Sequence, residues 1–210
     1  ASGGFIDRYG YPFCRGRIFD VVEKDCGQYD TVTEVMWVTG AALFIRLADY
    51  REVGGLDDHF FAHMEEIDLC WRLRSRGKKL VCIPQSVVYH VGGATLKKEN
   101  PRKTFLNFRN NLLMLYKNLP DKELEHVHFI RGILDRVAAL VFYLKKDRAN
   151  ARAVMQARRE FEDIRYSFAA SRIENIMKST DEMIPERTHF SILMKYYLLG
   201  KKHFSQLKLF

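Results

Sequence analysis

The sequence predicts an α/β portion over residues 1–118 followed by an all-helical region over 119–210. Three observations carry that prediction. Up to about residue 100 the apolar residues come in short runs broken by Gly and Pro, such as Trp37-Val38 and Ala41 to Ile45, which suits strands and short helices. From Pro101 onward they recur at helical spacing, with Pro120 as punctuation. Charge divides in a similar way. Residues 1–100 hold 13 Lys and Arg against 14 Asp and Glu, net −1, whereas residues 101–210 hold 21 against 12, net +9.

Each element has a local reason. Residues 1–32, rich in Gly, Asp, Arg and aromatics without a clear period, read as a long irregular segment. Glu34 to Arg46 reads as a strand or strand pair with a close backbone approach at Gly40. Leu47 to Val53 is a short helix stopped by Gly54-Gly55. Leu69 and Leu73, at i and i+4, set a helix over Glu65–Arg76, with Gly77 as its stop. Lys79 to Ile83 reads as a buried strand ended by Pro84, and Ser86 to Val91 as a second strand broken by Gly92-Gly93. Helices follow from Pro101, over His126–Lys146, over Ala149–Lys178 and over Phe190–Leu199, the last closed by Gly200.

With 210 residues, 47% hydrophobic and 29% charged, the chain is an ordinary folded protein and not a disordered one. Cys14, Cys26, Cys70 and Cys82 show no C-x-x-C spacing, which argues against a zinc site or disulfide framework. Reduced thiols and a cytoplasmic location are the expectation. The first residues carry no secretory pattern. The longest apolar run, Val137 to Leu144, is far short of the roughly 20 residues of a membrane span. A pI near 9.3 invites a nucleic-acid reading. The basic residues, however, are scattered among Asp and Glu and form no stripe with interleaved aromatics.

The chemistry concentrates in Phe60-Phe61-Ala62-His63-Met64-Glu65-Glu66-Ile67-Asp68, which puts three carboxylates into four positions at a helix start. Acidic side chains there complement the helix dipole, and Asp68 with Arg72 suits an i,i+4 pair. The functional reading is a general base held at a loop-to-helix junction, kept ionised by the helix N-terminus. His90 near the end of the second strand, ahead of two glycines, suits either a satisfied structural histidine or a metal ligand. Trp37, Gly40 and Ala41 suit either the lining of a carbohydrate cleft or strand core with a bulge.

Four pieces in order resemble the acceptor-side half of a family 2 glycosyltransferase of the GT-A fold. They are Thr39-Gly40-Ala41-Ala42-Leu43-Phe44-Ile45-Arg46, Val53-Gly54-Gly55-Leu56-Asp57-Asp58-His59-Phe60-Phe61, Met64-Glu65-Glu66-Ile67-Asp68-Leu69-Cys70-Trp71-Arg72, and Pro84-Gln85-Ser86-Val87-Val88-Tyr89-His90-Val91-Gly92-Gly93. The likeness covers roughly residues 30–118, more loosely 1–30, and little of the tail. It implies the C-terminal half of a GT-A (Rossmann-like) domain followed by a helical tail. The implied activity is transfer of a sugar from a nucleotide-diphosphate sugar to a carbohydrate or lipid-linked acceptor hydroxyl, usually with inversion, in polysaccharide or glycoconjugate synthesis. The second carboxylate of the acidic pair, Glu66, maps to the base, with Glu65 and Asp68 in support. The family usually has Asp there, so Glu65 stands as a substitute. Trp37, Gly40 and Ala41 map to the acceptor pocket. His90 maps to a ligand of a divalent cation, Mn²⁺ or Mg²⁺, that offsets charge on the leaving diphosphate.

The largest departure is that no D-x-D motif occurs anywhere in the sequence. The expectation is therefore a chain lacking the nucleotide-binding half, with a non-catalytic, degenerate scaffold as the alternative. The tail carries the basic excess. In its last helix Phe190, Leu193, Tyr197 and Leu198 form an apolar stripe flanked by Lys195, Lys201 and Lys202. That stripe suits docking on the protein's own core, on a second subunit, or peripherally on the inner face of a membrane. These 210 residues are expected to bind UDP weakly or not at all. Micromolar affinity for UDP with Mn²⁺ in calorimetry would contradict that expectation.

Overall fold

The computed structural model describes residues 3–90, 100–180 and 184–209. It is mixed α/β, with small sheets and long helices, and the chain forms two compact units interleaved in sequence. The first takes residues 1–55, 69–89 and 179–210; the second takes 56–68 and 90–178.

The first unit is built on a five-stranded antiparallel sheet, ordered β4-β3-β2-β1-β6. Its strands are β1 (Gly3–Ile6), β2 (Pro12–Cys14), β3 (Arg17–Ile18), β4 (Val21–Val22) and β6 (Trp37–Val38). The segment expected to be irregular thus supplies four strands. Two of them are only two residues long and have no alternation to read. The longest, β1, begins with glycines whose role is close approach. A Cβ on Gly4 would run into the Phe13 carbonyl, and one on Gly3 into that of Trp37. Register follows, with Gly4 opposite both Cys14 and Trp37. This unit also holds β5 (Thr33–Glu34), the short helix α1 (Leu47–Glu52), the part of α2 (Glu65–Ser75) from Leu69 on, and β7 (Val81–Cys82), which pairs with β5. The expected strand over Ser86–Val91 does not form over Ser86–His90, where Val87, Val88 and Tyr89 are exposed, and Val91 lies outside the described residues.

The last residues return to this unit. Phe5, Phe13, Ile18, Ile192, Phe204 and Leu207 make one core, joined by Phe190 and Tyr196. Asp7 is buried there; one carboxylate oxygen accepts from Tyr9 and Tyr11 N–H (2.9 and 2.8 Å) and the other from Ile192 N–H (2.9 Å). The final helix therefore docks on the protein's own core, but through a different stripe. A π-type turn over Met194–Leu198 replaces regular α-helix and shifts the angular order of side chains, leaving Tyr197 and Leu198 exposed. Arg74 on α2 and Glu186 pair at 2.5 Å, both buried.

The second unit is helical: α3 (Pro101–Asn118), α4 (Asp121–Leu144), α5 (Arg148–Ile164) and α6 (Ala169–Met177). Asn100 caps α3, accepting from Arg102 N–H at 2.9 Å, and Asp147 caps α5, accepting from Asn150 N–H at 3.1 Å. The sequence boundary at 118/119 falls between α3 and α4, both in this unit, because α5 packs on α3 and α4 alike. Arg131, Asp135 and Arg158 form a buried ion group between the helices, with Asp135 accepting from Arg131 Nε (3.2 Å) and Arg158 (2.8 Å).

The Arg74–Glu186 pair yields a stability prediction. Arg74→Met leaves a carboxylate buried without its cation and should cost about 3 kcal/mol in urea denaturation, whereas Arg74→Met with Glu186→Leu should recover most of that loss. Equal losses in the single and double variants would show that the pair does not hold the tail.

Candidate functional site

The acidic cluster opens α2, and the loop that delivers it is bent against its own preferences. Phe61, His63 and Met64 all have positive φ (60°, 69° and 74°), a region that side chains bearing a Cβ avoid. One face of α3 holds this loop. Asn110, fully buried, points its amide nitrogen at the carbonyls of Phe60 (2.8 Å), Ala62 (2.9 Å) and His63 (2.8 Å). Arg109 donates to the His59 carbonyl at 3.0 Å and pairs with Glu160 at 2.7 Å.

Two turns along the same face, Lys117 places its ammonium 2.7 Å from Asp57 and 2.9 Å from Asp68, over the ring of buried Phe60. Asn118 donates to the other oxygen of Asp68 at 2.8 Å. Asp68 is thus wholly buried and committed to cation and amide partners. It positions the start of α2.

Glu65 and Glu66 differ from Asp68. Each keeps one buried carboxylate oxygen with no hydrogen-bond partner, and so does Nε2 of His63. Burial pushes the Glu66 carboxyl up from 4.5 to about 7, reinforced by Glu65 and only partly opposed by the backbone N–H groups of Glu66 and Ile67. The helix N-terminus was expected to keep this group firmly ionised. Here desolvation outweighs it, and the group is poised between its two forms near neutrality. His63 is driven toward its neutral form by burial and by Lys103, against the pull of Glu65. A carboxylate pair and an imidazole with unsatisfied buried atoms can accept a proton from, and orient, a hydroxyl-bearing molecule.

The other sequence-derived candidates fall elsewhere. Trp37 is in the core of the first unit, its indole N–H donating to the Phe5 carbonyl at 3.0 Å, so its ring offers no open stacking face. Gly40 and Ala41 sit in an exposed 3-10 turn, not in a strand bulge. His90 is exposed on irregular backbone; Gly92 and Gly93 lie outside the described residues.

For a cation, the described residues offer one cluster, Asp57, Asp58 and His59, with ligand atoms within 4.8 Å of one another. Burial works to raise the Asp57 carboxyl, yet Lys117 and His59 hold it below its ordinary value, so its charge is already matched. Asp58 is fully exposed. Neither this cluster nor His90 alone fits a resident divalent ion. Sequence reasoning did not single out His63, Asn110, Lys117 or Asn118. A local signal exists only for Lys117 and Asn118, which follow directly on the apolar run Leu112 to Tyr116; Asn110 stands among other polar residues.

No family model matches the chain, and no solved structure matches it. Among curated proteins, the pre-mycofactocin glycosyltransferase of Mycobacterium tuberculosis is 31% identical over 141 residues, 62% of this chain and 29% of that protein. Rhamnosyltransferase WbbL of Escherichia coli is 33% identical over 69 residues, 33% of this chain and 25% of that protein. The N-acetylglucosaminyl-diphospho-decaprenol L-rhamnosyltransferase of Mycobacterium tuberculosis is 38% identical over 56 residues, 27% of this chain and 18% of that protein. This chain is similar to bacterial glycosyltransferases. It spans less than a third of the length of these relatives.

The raised Glu66 carboxyl predicts a stability change with a definite sign. The folded state binds this proton more tightly than the unfolded chain, so the contribution is complete below about pH 4.5 and is lost as pH rises through 7. Glu66→Gln, always neutral, should match the wild type near pH 4.5 and exceed it at pH 8 by on the order of 3 kcal/mol. Denaturant titrations at both pH values read the difference, and a gap that does not widen with pH would refute the raised value.

Proposed function

We propose that this chain carries the acceptor-side half of an inverting, GT-A-type glycosyltransferase of family 2, acting in polysaccharide or glycoconjugate synthesis, with Glu66 as the general base. The observation that carries this reading is the half-buried Glu65–Glu66 pair, each with one buried carboxylate oxygen lacking a hydrogen-bond partner, in the first turn of α2 directly after a loop held in a strained shape. Its pieces match the order of the family's acceptor-side motifs, and the curated relatives are glycosyltransferases by name.

In this mechanism the acceptor hydroxyl lies against Glu66. Its oxygen attacks the anomeric carbon of the donor while the bond from that carbon to the diphosphate oxygen breaks. The diphosphate leaves with the bonding electron pair, and the hydroxyl proton passes to the Glu66 carboxylate. A base with a pKa near 7 combines a usable ionised fraction with real basicity at neutral pH. Glu65 raises the basicity of Glu66 by repulsion, and neutral His63 can accept a hydrogen bond from a second acceptor hydroxyl. Asp68, Lys117 and Asn118 fix the first turn of α2, so the carboxylates meet the acceptor in a set geometry. The donor is a nucleotide-diphosphate sugar. The acceptor is a carbohydrate or a lipid-linked sugar, the latter supported by the decaprenol-linked substrate in the name of one relative.

The test is an assay of nucleoside diphosphate release by the chain within its complete reading frame, over a panel of UDP- and dTDP-sugars with carbohydrate and polyprenyl-linked acceptors. Glu66→Gln should lower kcat at least 100-fold with donor KM little changed, and the wild-type rate should rise with pH through about 7. Turnover that survives Glu66→Gln but not Glu65→Gln would move the base to Glu65. Turnover that survives both would exclude the pair.

A further inference from the structure

One surface of the second unit has no part in the proposed chemistry. Helix α4 turns Val127, Arg131, Asp135 and Ala139 inward, at four-residue intervals, and these are buried. On its other side Phe129, Ile133, Val137, Leu140, Val141, Tyr143 and Leu144 are between 44% and 70% exposed. The stripe from Phe129 to Leu144 runs for about 22 Å. A helix on the surface of a soluble protein ordinarily carries charged residues there. Between Val127 and Leu144 the charged residues are Arg131 and Asp135, both buried, and Arg136. No carboxylate interrupts the exposed stripe.

The C-terminal border of the stripe is basic, and the one carboxylate a turn before its N-terminal end is Glu125. Lys145, Lys146 and Arg148 follow the stripe directly, all exposed, with Arg152 one turn on. Arg148 lies over the Tyr143 ring at 5.8 Å, which holds a guanidinium at the edge of the apolar face. The one acidic residue among them, Asp147, is turned into the cap of α5, accepting from Asn150 N–H and from its side-chain amide (3.1 and 2.7 Å). Arg136, on the stripe's flank, donates to the Gly132 carbonyl at 2.8 Å.

We infer that the exposed apolar stripe of α4, with its border of Arg136, Lys145, Lys146 and Arg148, docks the protein on an anionic lipid surface. Charge complementarity decides the occupant. A second copy in parallel would set Lys145, Lys146 and Arg148 against themselves; in an antiparallel pair Glu125 would meet Arg148, but Lys145 and Lys146 would find no carboxylate within the stripe and Arg136 would lie near Arg136. Anionic headgroups neutralise the same border while the acyl boundary takes the apolar side chains. The helix lies on the surface and does not cross it, for among the described residues no helix is long and apolar enough to span a membrane. The face is distinct from the terminal helix, which spends Phe190, Ile192 and Tyr196 on the first unit's core. The inference stands apart from the proposed transfer reaction, although a lipid-linked acceptor would make such docking useful.

Cosedimentation of the 210-residue chain with vesicles tests it, using equal parts phosphatidylglycerol and phosphatidylcholine against phosphatidylcholine alone. Binding should require the anionic lipid and fall at least tenfold between about 0.05 and 0.5 M NaCl. Val137→Glu with Leu140→Glu, and separately Lys145→Glu with Lys146→Glu, should each weaken it at least tenfold. Tyr197→Glu with Leu198→Glu in the terminal helix should leave it unchanged. All substituted side chains are exposed, and far-UV circular dichroism verifies that each variant folds. Equal binding to both vesicle types, binding that survives Val137→Glu with Leu140→Glu, or light scattering showing a dimer that those substitutions dissociate would each overturn the inference.

Discussion

The ammonium of Lys117, held between Asp57 and Asp68, is the constraint on which the geometry of the acidic cluster depends. A lysine 3% exposed beside an aspartate 0% exposed is tolerable only because each cancels the other's charge and the remaining lone pairs are occupied. Asn118 fills the second oxygen of Asp68, and the Phe60 ring lies beneath the ammonium. Loss of Lys117 would leave Asp68 buried without its cation, which costs far more than the intact group contributes. The group joins the beginning of the loop, at Asp57, to the first turn of α2, at Asp68. The loop from Leu56 to Met64 therefore has both ends fixed to one face of α3 at Lys117, and Asn110 holds its middle.

That arrangement explains why Asp68 and Glu66, two residues apart in sequence, serve different ends. Successive positions in a first helical turn point in different directions, so Asp68 meets the cations and amides of α3 while Glu66 does not. Both are largely removed from water. Asp68 has side-chain partners on both oxygens, whereas one Glu66 oxygen has none, and burial holds the Glu66 proton up to neutral pH. The helix terminus pulls the opposite way but acts on a single flank, as a partial charge, and desolvation wins.

Much of this was legible in the sequence, and the rest was hidden for identifiable reasons. The helix beginning at Glu65, the short helix at Leu47 and the helix from Pro101 follow from period, caps and glycine stops, all local signals. The sheet formed by residues 3–38 does not, because its strands are two to four residues long and its key positions are glycines chosen for contact with neighbouring backbone. Trp37 has the same cause. Its place beside β1 in the sheet, with its indole N–H on the Phe5 carbonyl, puts it in the core instead of lining a cleft. Glu65 and Glu66 were legible as candidates from their place before a helix. Asn110, Lys117 and Asn118 were not, since their partners lie about 50 residues away, and the only local mark was the polarity of Lys117 and Asn118 directly after an apolar run.

The backbone strain ahead of α2 completes the argument from fold to chemistry. Three residues with a Cβ in the left-handed region each cost on the order of 1–3 kcal/mol, and nothing in the local sequence favours them there. A relaxed loop could carry the same acidic residues into water, where they would have ordinary pKa values and full hydration. Instead one buried asparagine, with two amide hydrogens, holds three carbonyls of the loop in place, those of Phe60, Ala62 and His63. The result is a carboxylate pair whose neighbours are already committed to one another. Its free oxygens are left without partners inside the protein, and an acceptor hydroxyl can supply what they lack. Burial and missing partners converge on Glu65 and Glu66, with the strain in the loop just before them, and a purely structural acidic cap would need none of the three.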